Sequence, residues 1–115
     1  MLRYVFLCLF ALPALADTVY VTEFKAAPPV TVYYQAVRAP ALANQTVAVG
    51  AVTAQSAAFN AATGIVRIHV DVACHINIGG TNPTATTSSM LMSADSTEYF
   101  VVTAGDKLAV IEAGP

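Results

Sequence analysis

Three side chains able to bind a metal or move a proton lie on one polar stripe of the sequence. His69, Asp71 and His75 occupy odd-numbered positions in a run of alternating polar and apolar residues. Residues two apart on a strand share a face, and histidine with a carboxylate suits zinc. His75 lies four positions beyond Asp71, about 13 Å along a strand, too far to join the same site without a bulge. We therefore favour an ordinary polar face over a metal-dependent enzyme built on His69 and Asp71.

Cys74 is the other candidate for chemistry, as a nucleophilic thiol. It falls on the apolar side of the same alternation, whereas its neighbour His75 falls on the polar side. A nucleophilic thiol needs an adjacent base and partial exposure. The pattern predicts instead that Cys74 is a small core residue. No other group of residues has a catalytic spacing, so we expect no enzyme, no cofactor and no small-molecule substrate.

The alternation itself, from Ile65 to Ile78, is the strongest structural signal in the chain. Even-numbered positions are apolar from Val66 onward, and odd-numbered positions are mostly polar from Arg67 onward. This period of two is typical of a half-buried strand and unlike the 3.6 period of a helix. One strand of this length would span about 45 Å, so we expect a bend or bulge within it. We expect a partner to bind on the polar side of this segment. The residues of this predicted partner-contact face are Arg67, His69, Asp71 and His75.

Shorter β-prone runs, separated by turn residues, surround this segment. They are found at 18–24, 30–37, 45–49, 52–59, 88–93, 97–103 and 107–111. The last two flank the turn residues 104–106 and are expected to form a hairpin. Two aromatic pairs, Tyr33-Tyr34 and Tyr99-Phe100, are each expected to place one ring in the core and leave the other for a partner. We predict an all-β fold: a small antiparallel β-sandwich, or a compact barrel, of about 6–8 strands.

Length and composition limit the possible functions. The chain has 115 residues, enough for one domain, and 57% are apolar while only 10% are charged. The net charge is −2 with five Lys and Arg in total, so the chain has no basic stripe and we expect no nucleic-acid partner. A surface so poor in charge favours a protein that is partly covered by neighbours in a larger assembly.

The first sixteen residues, MLRYVFLCLFALPALA, form a hydrophobic segment that precedes the predicted domain at 17–115. An early Arg, an apolar run and a small-x-small ending are typical of a secretory signal peptide, with cleavage after Ala16. The alternative is an apolar arm that stays attached and packs on another surface. Cys8 lies in this segment, so the domain itself holds one cysteine and no disulfide framework.

Seven sequence blocks of the chain carry a resemblance to known proteins. They are 19–24 (VYVTEF), 54–60 (AQSAAFN), 66–69 (VRIH), 74–76 (CHI), 80–86 (GTNPTAT), 98–100 (EYF) and 105–110 (GDKLAV). Together these blocks resemble a group of small β-rich virion proteins of tailed bacteriophages. The resemblance implies a non-enzymatic structural protein of the virion, such as a capsid decoration (cement) or head-associated component. It further implies capsid or other virion proteins as partners, and self-association into a homo-oligomer. The alternative is an exported binding module of the bacterial envelope, periplasmic or secreted, with its signal peptide removed.

Overall fold

The computed structural model of the protein describes residues 17–25 and 37–114, which form two four-stranded antiparallel sheets. The strands are β1 (Thr18–Lys25), β2 (Ala43–Ala48), β3 (Ala54–Gln55), β4 (Thr63–Val70), β5 (Cys74–Ile78), β6 (Met90–Met92), β7 (Ser96–Val101) and β8 (Leu108–Glu112). The first sheet has the order β2-β1-β4-β7, and the second has the order β3-β8-β5-β6. The described residues contain no helix, and therefore none that could cross a membrane. The predicted all-β sandwich is confirmed, whereas the predicted run at 30–37 falls outside the described residues except at Val37.

The core lies between the two sheets and consists mainly of branched aliphatic side chains. β4 and β5 supply its centre, because their even-numbered residues all point inward. The buried cluster comprises Val19, Val21, Val47, Phe59, Val66, Ile68, Val70, Cys74, Ile76, Met92, Leu108 and Val110. The predicted core position of Cys74 is confirmed, since its side chain is fully buried.

The alternating run from Ile65 to Ile78 is divided between the two sheets. β4 ends at Val70 in the first sheet, and β5 begins at Cys74 in the second. The expected bend is confirmed, but the prediction of one continuous strand is wrong. A strand that turns a corner between packed sheets can keep its apolar side toward the core throughout. At this corner the Thr18 N–H donates a 2.8 Å hydrogen bond to the Asp71 carboxylate, which ties the bend to the start of β1.

The hairpin expected around residues 104–106 does not form. β7 pairs with β4 in the first sheet, whereas β8 pairs with β3 and β5 in the second. The segment at 102–107 therefore crosses from one sheet to the other. Of the predicted strand at 52–59, only the two residues of β3 form a strand. Just after β3, the Ser56 N–H donates a 2.8 Å hydrogen bond to the Leu108 carbonyl of β8.

A buried carboxylate connects β1 to the turn that precedes β4. Glu23 is only 2% exposed, and both of its carboxylate oxygens accept hydrogen bonds. The donors are the Asn60 N–H at 2.6 Å, the Thr63 hydroxyl at 2.9 Å and the Gln45 side-chain amide at 3.2 Å. The same Gln45 amide also bonds the backbone of Ala57, whose N–H donates to Gln45 Oε1 at 2.9 Å. These bonds hold the 57–63 segment against the first sheet.

Candidate functional site

The solvent-facing side of the first sheet, which we name the outer face, carries the polar and aromatic residues with the best access to a partner. Strand register arranges them in cross-strand rows. One row consists of Thr46, Tyr20, His69 and Thr97, and the next of Asn44, Thr22, Arg67 and Tyr99. The outer-facing positions of all four strands contain no carboxylate. The ionisable side chains of the outer face are thus limited to basic groups and tyrosines.

His69 is held in place by side chains from both neighbouring strands. Its Nδ1 lies 2.8 Å from the Thr97 hydroxyl oxygen, which belongs to β7. On the β1 side, the imidazole and the Tyr20 ring have centroids 6.2 Å apart in a tilted arrangement. Tyr20 remains 46% exposed. The histidine therefore presents a positioned ring beside an accessible aromatic.

Arg67 lies in the middle of the outer face, opposite Thr22 on one side and Tyr99 on the other. No ion pair engages its guanidinium within residues 17–25 and 37–114. Together with Tyr20 and His69, it lines an open depression of ≈ 410 Å³. A half-buried guanidinium next to aromatic rings and without an acidic neighbour can bind a carboxylate of another protein.

The four residues of the predicted partner-contact face do not lie together. Arg67 and His69 share the outer face, but Asp71 is at the corner, bonded to Thr18. His75 belongs to the second sheet, where its Nδ1 lies 2.8 Å from the Ser89 carbonyl oxygen. The physical reason is the change of sheet at the corner, which separates His75 from the earlier part of the alternating run.

The outer side of the second sheet is partly covered by the chain itself, although Leu91 on this side is exposed. The loop at 79–89 crosses it, and three side chains of the sheet region hold this loop. Gln55 donates to the Pro83 carbonyl at 2.8 Å, Asn77 donates to the Thr84 carbonyl at 3.0 Å, and Thr53 accepts from the Ala85 N–H at 3.0 Å. Pro83 and Ala85 are buried. His75 contacts the same loop, because its Nδ1 lies 2.8 Å from the Ser89 carbonyl oxygen.

The aromatic pair at 99–100 divides as expected: Phe100 packs against the core cluster and Tyr99 is 55% exposed. The pair Tyr33-Tyr34 lies outside the described residues. Tyr20 was not singled out from the sequence, although it alternates with the buried Val19 and Val21 in a way that indicated its outward position.

Neither a cluster of metal ligands nor an activated thiol is present among residues 17–25 and 37–114. No group of three or more His, Cys, Asp or Glu side chains comes together there to hold a metal ion. Burial, with a smaller effect of the nearby Asp71 carboxylate, raises the pKa of the Cys74 thiol from 9.0 to about 11. A thiol with so high a pKa is almost entirely protonated at neutral pH and is a poor nucleophile.

We expect the Cys74 thiol to make folding stability depend on pH above 9. Because its pKa is raised in the folded state, the folded protein holds this proton between pH 9 and 11 while the unfolded chain loses it. The free energy of unfolding should therefore fall by about 1–2 kcal/mol over that interval. Denaturant titrations at each pH would measure it in a Cys8→Ser background, with Cys74→Val added as the control. Equal slopes in the two proteins would contradict the expectation.

Comparison with known proteins gave no match to a protein family, to a curated protein or to a solved structure.

Proposed function

We propose that the chain is a non-enzymatic structural protein of a phage particle, a capsid decoration or head-associated component that attaches through its outer face. The observation that carries the proposal is the position of Arg67, which has no ion pair in the described residues and lies in a row with Tyr99. Arginine and tyrosine are enriched at the centres of protein–protein interfaces. The resemblance of its sequence blocks to virion proteins is what favours a particle over other assemblies in this proposal.

The charge of the outer face supports a partner surface with accessible acidic groups. Arg67 and His69 are its basic side chains, and no carboxylate shares the face with them. A complementary acidic patch would speed association and fix the orientation of the complex. Since Arg67 is only half-buried, salt is expected to weaken this attraction.

Attachment to particles is best tested with particles that lack the chain. Purified chain would be added to particles of the encoding phage from which its gene has been deleted, and bound chain measured after sedimentation. We expect Arg67→Glu to reduce binding at least about tenfold, because the opposed charge would face the acidic patch. Lys107→Glu, which makes the same charge change away from the outer face, should bind like the unaltered chain. Absence of the chain from particles, or equal binding by both variants, would contradict the proposal.

A second candidate, an exported binding module of the bacterial envelope, is favoured by the signal-like segment at 1–16. Intact mass of the protein recovered from cells separates the two. A first residue of Asp17 would support export, and the uncleaved mass would support the particle.

A further inference from the structure

The strand β7 has an unpaired edge. It ends the order of the first sheet, and its only strand partner within the described residues is β4. The Val102 N–H donates to the Gly64 carbonyl of β4 at 3.0 Å, so the even-numbered residues of this segment direct their backbone groups toward β4. The N–H and C=O groups of Thr97, Tyr99 and Val101 therefore lie on the open side.

This edge lacks most of the features that usually prevent strand pairing: Glu98 is its one charged residue, and its carboxyl-terminal part is apolar. β7 contains no Pro or Lys, and its pairing with β4 has no bulge. Val101 is 88% exposed, and Tyr99 is also exposed. On the adjacent edge of the second sheet, Met90 and Leu91 are exposed as well, and Met90 and Val101 line a groove of ≈ 510 Å³ between the two sheets. Most of the exposed large apolar side chains thus gather along one side of the sandwich.

We propose that β7 pairs with β7 of a second copy of this chain, antiparallel and with Tyr99 on the two-fold axis, so that two first sheets become one continuous sheet. This goes beyond attachment to a particle and does not depend on it. An interface of this kind is isologous, because the same strand supplies both sides.

Hydrogen bonding selects the register. With Tyr99 opposite Tyr99 of the second copy, Thr97 of each copy lies opposite Val101 of the other copy. These are the three residues whose backbone groups face the open side, so all three pairs are hydrogen-bonded pairs, each of which exchanges two hydrogen bonds. The pairing would therefore form about six hydrogen bonds, and a shift by two residues in either direction would lose some of them. The outer faces of both copies remain on the same side.

Charge favours the same register. In the proposed register, Glu98 lies opposite Phe100 of the second copy. A shift of two residues toward the amino end would instead place Glu98 of one copy opposite Glu98 of the other. Like charges directly opposite each other on paired strands are destabilising. On the outer face, each Tyr99 would have Arg67 of its own chain opposite it on one side and Tyr99 of the other copy on the other side. Aromatic side chains that are directly opposite on paired strands attract each other.

A charge exchange at position 99 tests the pairing, because only a residue on the axis meets its own copy. Tyr99→Glu and Tyr99→Lys should each self-associate about 30-fold or more weakly than the unaltered full chain, since like charges would be opposed. An equal mixture of the two variants should form a mixed dimer. Sedimentation velocity would measure association, and native mass spectrometry would identify the mixed species by its mass. Val52→Glu, at an exposed apolar position outside β7, is the matched control and should associate normally.

Glu98→Gln provides a second test, in which dimer affinity should increase rather than fall. It removes two carboxylates that would lie diagonally across the axis, so dimer affinity should rise about threefold. Circular dichroism and thermal unfolding would verify that each variant is folded. A chain that stays monomeric up to about 0.5 mM, or a mixture of the Glu and Lys variants that forms no dimer, would overturn the proposal. Association that survives Tyr99→Glu but disappears on removal of residues 1–16 would also overturn it, by assigning the contact to that segment.

Discussion

Replacing Glu23 with alanine is expected to lower the free energy of unfolding by about 3 kcal/mol. The buried carboxylate of Glu23 accepts from a backbone N–H, a hydroxyl and a side-chain amide, contributed by Asn60, Thr63 and Gln45. Alanine would leave the Asn60 N–H and the Thr63 hydroxyl without this acceptor, whereas the Gln45 amide keeps its bond to the Ala57 carbonyl at 3.3 Å. An unsatisfied buried donor costs more than the net gain from making its bond.

Chemical denaturation of the full-length protein would measure the loss at Glu23. Glu23→Gln keeps the shape of the side chain and one acceptor oxygen. We therefore expect it to lower the free energy of unfolding by about 1–2 kcal/mol, which is less than the effect of alanine. Glu98→Ala removes an exposed carboxylate and should change stability by less than about 0.5 kcal/mol at the same low protein concentration. Equal effects of the alanine substitutions at 23 and 98 would show that the buried hydrogen bonds contribute little.

Replacing Ile68 with asparagine is expected to leave the chain largely unfolded at 37 °C. Ile68 is fully buried in β4, between its neighbours in the first sheet and facing the second. The substitution loses about 2–3 kcal/mol of apolar burial and adds about 1–3 kcal/mol for an amide without hydrogen-bond partners. The sum, about 5 kcal/mol, approaches the whole stability of many small domains.

The matched control for Ile68→Asn is the same replacement one residue earlier. Arg67→Asn places the asparagine on the outer face, where water can solvate it, and should cost less than about 1 kcal/mol. Thermal unfolding followed by circular dichroism would compare the two variants. Similar losses at both positions would contradict the register of β4, because a shift of one residue exchanges the two faces of a strand.

Local patterns predicted which side chains of the alternating run point inward, but not the sheets to which they belong. The inward positions of Ile68, Cys74 and Ile76 follow from a period of two, which depends only on neighbouring residues. At the change of sheet, Asp71 accepts a hydrogen bond from the Thr18 N–H, which is distant in sequence. No Gly or Pro marks that corner, and the only local signal was Asp71, a residue type favoured in turns and depleted in strands.

The candidate site could be predicted only in part, because local patterns do not reveal which strands pair with one another. Arg67 and His69 share a strand, and their common face could be read from their spacing. Tyr20 and Thr97 join them from other strands, and the register that brings them there is set by long-range pairing. The hairpin expected between β7 and β8 failed because a short turn does not reveal whether the chain returns to the same sheet.

The loop at 79–89, which partly covers the second sheet, has a consequence for the strength of attachment to a surface. It leaves the outer face of the first sheet as the more open one, so one copy would bind through that side. Two copies joined at β7 would direct both outer faces the same way, since the two-fold axis runs perpendicular to the shared sheet. Once one copy bound a repeating lattice, the other would meet the next site at a high effective concentration. Such bivalent binding can exceed the affinity of a single copy by about 10²- to 10⁴-fold without any new contact.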